Sequence, residues 1–270
     1  MLLSFTQIDS IEWKLISMQI TLTRLTLATI FLSQVFTSQA AQNELQKDIQ
    51  SAMKMEYRTE ADTKRDRNRS PAQALAFFDF KKNMKVIEFA PGNGWYTKIL
   101  APLLAEQGEL YLAYKAEWLD NMDELLSHKV FKSTKKLPIA LSWNNKEYRY
   151  DLGKLSFGMN DADMVLNIRE YHNFNKEDKT KLNNAAFSAL KSGGTYVIID
   201  HTRRHMIDES RELSRREDPV TVILEVQQAG FILEKSSNMF SRPDDELIYE
   251  VGRKTVTGNT DRFTLVFKKP

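Results

Sequence analysis

The residues best suited to chemistry fall in three short stretches: "VIEFAPGNGWYT" (86–97), "NIREYHNF" (167–174) and "DHTRRH" (200–205). In the first, an apolar run carrying Glu88 leads into a proline and two glycines, Gly92 and Gly94. A glycine-rich turn between a strand and a helix lets backbone approach a ligand closely, and the helix behind it presents free N–H groups. A dinucleotide fingerprint would place a third glycine where Thr97 stands, so a nicotinamide site matches poorly. In the other two stretches, polar side chains follow apolar runs. A histidine beside a carboxylate is a workable base near neutral pH, which makes Tyr171, His172, Asp200 and His201 the candidate catalytic residues. The same four could instead cap a strand and anchor a loop.

Strands alternating with helices must position these stretches. "KVIEFA", "ELYLAY", "LPIALSW", "ADMVLNI" and "TYVIID" read as strands one to five, and "FILEKSSNMF" and "RFTLVFKK" as six and seven. Helices are expected over "GWYTKILAPLLAEQG", "AEWLDNMDELLS", "KEDKTKLNNAAFSALKSGG" (closed by its glycines) and "DPVTVILEVQQAG". That alternation implies an α/β fold: a seven-stranded, mostly parallel sheet with helices on both faces. Nothing helical separates the last two strands, so they should pair antiparallel. Ser70 and Pro71 mark a helix start. The mixed-charge run "RTEADTKRDRNRS" (58–70) reads as a solvated face. The arginines from Arg203 to Arg216 are expected to form a solvated helix with Asp208, Glu209, Glu212 and Glu217, an anion site there being the other reading.

The glycine turn resembles the first motif of class I S-adenosylmethionine-dependent methyltransferases, an acid followed by x-G-x-G-x-G, read here as Glu88, Ala90, Gly92 and Gly94. Five parallel strands followed by an antiparallel pair, the last strand inserted, is that family's sheet. The stretches "RDRNRSPAQALAFFDFKKNMKVIEF", "LKSGGTYVIIDH" and "TDRFTLVFKKP" are similar to a group of exported bacterial methyltransferases. The resemblance implies S-adenosylmethionine as cofactor and a small-molecule substrate. It implies that Glu88 receives the polar end of the cofactor, that Ala90, Gly92 and Gly94 make room for it, and that Asn167 borders it. The family's acid at the end of the second strand is replaced by Tyr114, with Glu117 nearby as its substitute. A non-catalytic exported ligand-binding protein on the same fold is the alternative.

Whole-chain properties narrow the rest. The 270 residues carry 38 basic and 36 acidic side chains, a balance that argues for no nucleic-acid surface. There is no cysteine, and the four histidines lack metal-ligand spacing, so no metal site is expected. Residues 18–40 have the basic, apolar, small-residue order of a secretory signal, with residues 1–17 read as an upstream start artefact. The expectation is an exported, periplasmic protein with no stable membrane anchor after cleavage. Residues 41–70 are expected to be a helical extension and residues 71–270 one domain.

Overall fold

The computed structural model describes residues 42–270, and the segment read as a secretory signal lies outside them. Compact packing divides the chain after Asp48. Residues 42–52 are helical (α1). Everything below concerns the second unit, Ile49–Pro270.

Its centre is β1 (Lys85–Phe89), an apolar strand buried on both faces between parallel neighbours β2 (Glu109–Tyr114) and β6 (Ala162–Ile168). The full order is β3-β2-β1-β6-β7-β9-β8, with β3 at Thr134–Pro138, β7 at Leu190–His201, β8 at Ile232–Phe240 and β9 at Arg262–Lys268. Strand β9 runs antiparallel to both β7 and β8, so the last strand is inserted beside the fifth, as expected. Helix α2 (Glu60–Arg69) is capped by Thr59 and Asp62, each side chain bonded to the other's backbone N–H. Helix α3 (Pro71–Phe77) follows; α4 (Thr97–Leu104) buries nearly its whole surface. Short helices α5 (Ala116–Asp120) and α6 (Asp123–Leu126) follow β2. Helix α7 (Lys176–Ala189) is capped by Asn175, and α8 (Pro219–Gln228) by Asp218 with proline at its first position.

The structure corrects four local expectations. The third sheet strand is Thr134–Pro138 rather than 137–143. Leu141–Asn144 (β4) leaves the sheet and pairs antiparallel with Arg149–Leu152 (β5). Helix α7 stops at Ala189, because buried Leu190 turns extended and pairs with Ala162 before a register shift; the glycines lie inside β7. Ser70 does not cap α3 with its side chain: its backbone is left-handed (φ 37°), closing α2 and opening α3. The arginine-rich stretch after β7 is a loop with one short turn at Arg211–Leu213, and several of its charges pair individually. Arg216 is buried against Asp245, Arg215 meets Glu250, and Glu217 meets Lys179. Among the described residues, no helix is long and apolar enough to cross a membrane.

Candidate functional site

Strand order reverses between β1 and β6, and beyond that switch point the chain leaves β1 through Ala90, Gly92 and Gly94. All three have positive φ, at 49°, 57° and 71°. Ala90 therefore holds a left-handed conformation that glycine adopts more easily, fixed by its N–H donating to the Ala113 carbonyl at 2.8 Å. A Cβ on Gly92 would meet nothing within 4 Å, so this residue faces an open cleft, whereas one on Gly94 would press on the Met122 methyl at 3.0 Å. The turn thus has one side open to ligand and one side packed.

Two cavities flank it. One, about 470 Å³, is lined by Glu88, Ala90–Asn93, Ile168, Arg169 and Glu170 below and by Asp62, Arg65 and Arg69 of α2 above. The other, about 700 Å³, has Tyr114, Trp118, Met122 and Tyr150 for walls. They share Thr59, Gly92, Asn93 and Lys98. In the second cavity, Trp118 sits 4.7 Å from the Tyr114 ring and 5.6 Å from the Tyr150 ring, inclined to them by 53° and 61°, an aromatic cluster of tilted rings.

Glu88 is 5% exposed and accepts a 2.7 Å hydrogen bond from the Thr97 hydroxyl. Burial pushes its carboxyl up to about 7 against the pull of Thr97 and Arg69. Glu170 follows β6 and is half-buried, accepting from the Asn173 amide at 2.9 Å. Burial lifts it to about 7 as well, opposed by His172 and Asn173. Both carboxyls face the smaller cavity and exchange protons near neutrality.

Of the residues singled out from sequence, the structure brings Glu88, Ala90 and Gly92 to the smaller cavity and Tyr114 and Gly92 to the larger. The others sit elsewhere. Glu117 lines neither cavity; its side chain is largely exposed and pairs with Lys115 at 3.5 Å. Asn167 is fully buried, its amide 3.5 Å from the Tyr196 hydroxyl, because alternate residues of β6 face opposite sides of the sheet. Tyr171 donates to Glu225 at 3.0 Å and accepts from Asn183 at 2.9 Å, which holds it against α7 and α8.

His172, Asp200 and His201 do come together, but in a closed network and not at an open rim. Asp200 is fully buried and accepts from the His172 backbone, the His201 backbone and His172 Nδ1, at 3.0, 2.7 and 2.7 Å. Arg169 Nε donates to His201 Nε2 at 3.1 Å, so that nitrogen carries no proton and Nδ1–H donates to Thr260 at 2.8 Å. Burial, and then Arg169, push His201 well below the usual histidine range, keeping it neutral. None of Tyr171, His172, Asp200 or His201 lines either cavity. Their hydrogen bonds hold Arg169 and the strand ends in place.

Sequence reading expected a helix here but missed that α2 borders the site. Glu60, Lys64 and Arg67 do form a solvated face, but Asp62 and Arg69 turn the other way. Asp62 is buried, accepting from Lys98 Nζ at 2.7 Å, while its carbonyl accepts from the Trp95 indole at 3.0 Å. The Arg69 guanidinium lies 4.7 Å over the Trp95 ring. Positions 62, 65 and 69 share one helical face, and that helical spacing of an acid and two arginines was the available signal. Tyr150, on the unanticipated hairpin, carried none.

No family profile and no curated protein matches the chain. Among solved structures it is similar to a SAM-dependent methyltransferase from Aquifex aeolicus. The two share 16% identity over 73% of this chain and 88% of that one, with a TM-score of 0.52. It is also similar to an O-methyltransferase family protein from Burkholderia thailandensis, at 13% identity over 75% of this chain, with a TM-score of 0.50; it spans 57% of that protein. The shared feature is the fold, the seven-stranded Rossmann-like sheet of methyltransferases with its inserted antiparallel strand.

Proposed function

We propose that this protein is an S-adenosylmethionine-dependent methyltransferase acting on a small molecule, its donor lying across the glycine turn with one end in each cavity. The observation that carries this reading is the junction of the two cavities at Gly92 and Asn93, where the turn presents backbone with no side chain in the way. The residues present fit the donor's parts. Tyr114 and Trp118 offer aromatic surface to a flat base, Tyr114 standing at the end of β2 where the family resemblance expects an acid for the ribose. Glu88 and the turn backbone would hold the amino-acid end.

When bound, such a donor supplies a methyl group on a positively charged sulfur, transferable by displacement to a nucleophile. The chain's own task is alignment and proton removal. Glu170 is the residue suited to the second, since its carboxyl faces the cavity and titrates at about 7. The buried His201 serves it indirectly by holding Arg169 in place.

Calorimetric titration with S-adenosylhomocysteine tests the reading. Binding in the micromolar range, lost in Gly92→Val, is the expected result, because valine would fill the open side of the turn and strain a φ of 57°. Absence of binding at millimolar nucleoside would retire the proposal.

A further inference from the structure

We propose that the methyl acceptor is an anion, a small molecule bearing a carboxylate or phosphate group, received by Arg65, Arg69 and Arg169. The inference rests on the methyltransferase reading and names its substrate class.

All three side chains line the smaller cavity, and among the described residues none is ion-paired with a carboxylate. Elsewhere in this unit, buried arginines have such partners: Arg58 has Asp66, Arg149 has Glu209, Arg216 has Asp245. The exception is Arg262, which does not line the cavity. Its Nη2 donates to the Asn68 carbonyl at 2.6 Å and its buried Nε has no partner. Taking charge out of water without a counter-ion is expensive. Burial, followed by repulsion from neighbouring guanidiniums, draws Arg69 and Arg262 down to about 10 and lowers Arg169 too. All stay cationic at neutral pH.

The arginines are held without using up their donors. Arg69 stacks on Trp95 at 4.7 Å and Tyr96 at 5.7 Å, leaving its planar fork in the cavity. Arg169 gives only Nε to His201, so both terminal nitrogens are available, and its backbone holds a strained φ of 64°. A fixed fork of donors matches an oxyanion bidentately.

Other charges in the cavity do not cancel them. Lys98 is committed to Asp62 at 2.7 Å. Glu88 and Glu170 titrate at about 7, so each is partly protonated at neutrality, and each already accepts a hydrogen bond, from Thr97 and Asn173. A volume of about 470 Å³, partly needed for the donor's end, limits the acceptor to a small molecule.

Inorganic phosphate is the probe, titrated into the full chain with and without saturating S-adenosylhomocysteine and read by calorimetry and by the fluorescence of Trp95. Phosphate should bind the nucleoside complex one-to-one and weaken with added chloride. Arg69→Met and Arg65→Met should each weaken it by roughly tenfold or more. Arg65 is exposed, so its variant folds even where Arg69→Met does not. Arg67→Met, on the exposed side of the same helix and outside the cavity, should change nothing.

Failure of phosphate to bind in either state overturns the proposal. So does a tenfold loss of S-adenosylhomocysteine affinity in Arg69→Met with 5′-methylthioadenosine unaffected, since the arginines would then hold the donor's own carboxylate. If the nucleoside does not bind the wild type but phosphate does, and Arg69→Met abolishes it, the anion site stands while the methyltransferase reading falls.

Discussion

At the scale of single residues, Glu88 and Thr97 exchange the meanings their types suggest. Thr97, read as a missing third glycine, is the hydrogen-bond donor that keeps a buried acid tolerable at the end of β1. The carboxyl titrates at about 7 against an ordinary 4.5, so the folded chain holds that proton more tightly than the unfolded one. The resulting stability is fully present below about pH 4.5 and is lost as pH rises through 7. Glu88→Gln keeps an acceptor for Thr97 and removes the titration. Relative to it, wild type should lose up to about 3 kcal/mol between pH 4.5 and 8.5, read by urea unfolding across that range. A difference that stays flat with pH would show that the carboxyl is not perturbed. Glu88 and Gly92 were legible because strand, acid and glycines are contiguous in sequence. The burial of His172 and His201 was not, since one register step of a strand decides which face a side chain meets.

At the scale of elements, α2 is the clearest case of structure that periodicity could not reveal. It carries no apolar stripe, and its docking is made of charge and cation–π contacts: Arg58 to Asp66, Lys98 to Asp62, Arg69 on Trp95. Pattern reading detects hydrophobic faces, so it reports such a helix as solvent-facing. The β4–β5 hairpin escaped for another reason. Its strands have four residues each, and its turn is closed by Tyr148 at φ 53° with no glycine to announce it. By contrast α7 and α8 begin where their capping residues predict. The docking of α2 depends on a buried pair, with Asp62 and Lys98 side chains 8% and 10% exposed. Asp62→Ala leaves Lys98 without its counter-charge and should destabilise the protein by about 3–5 kcal/mol. The double variant Asp62→Ala, Lys98→Met should recover part of that loss, giving a coupling above roughly 1 kcal/mol in a thermodynamic cycle. Strict additivity in urea unfolding would mean the pair contributes nothing to holding the helix.

At the scale of the whole molecule, sheet order converts these local facts into a site. The reversal between β1 and β6 opens a crevice at the carboxyl ends of the strands, and the glycine turn, the Arg169–Glu170 pair and the arginines of α2 are delivered there by three different segments of chain. The alternation of strands and helices made the parallel sheet and its antiparallel terminal pair legible, and the family resemblance implied the insertion of β9, whereas the roof over the crevice was not legible. Roof and floor belong to one compact unit, so a ligand between them should stabilise both. S-adenosylhomocysteine at about 100 times its Kd should add about 2.7 kcal/mol, a Tm increase of roughly 5–11 °C for a unit of this size. Hydrogen exchange locates where the stabilisation acts. Amides that exchange by local opening should slow in residues 59–69, 90–96 and 114–122, which line the two cavities, and keep their rates in α7 and α8, which line neither. Slowing confined to 90–96 and 114–122, with α2 unchanged, would mean that the charged helix is a neighbour of the site and not its wall. The three arginines would then lose their claim on the acceptor, because two of them are carried by that helix.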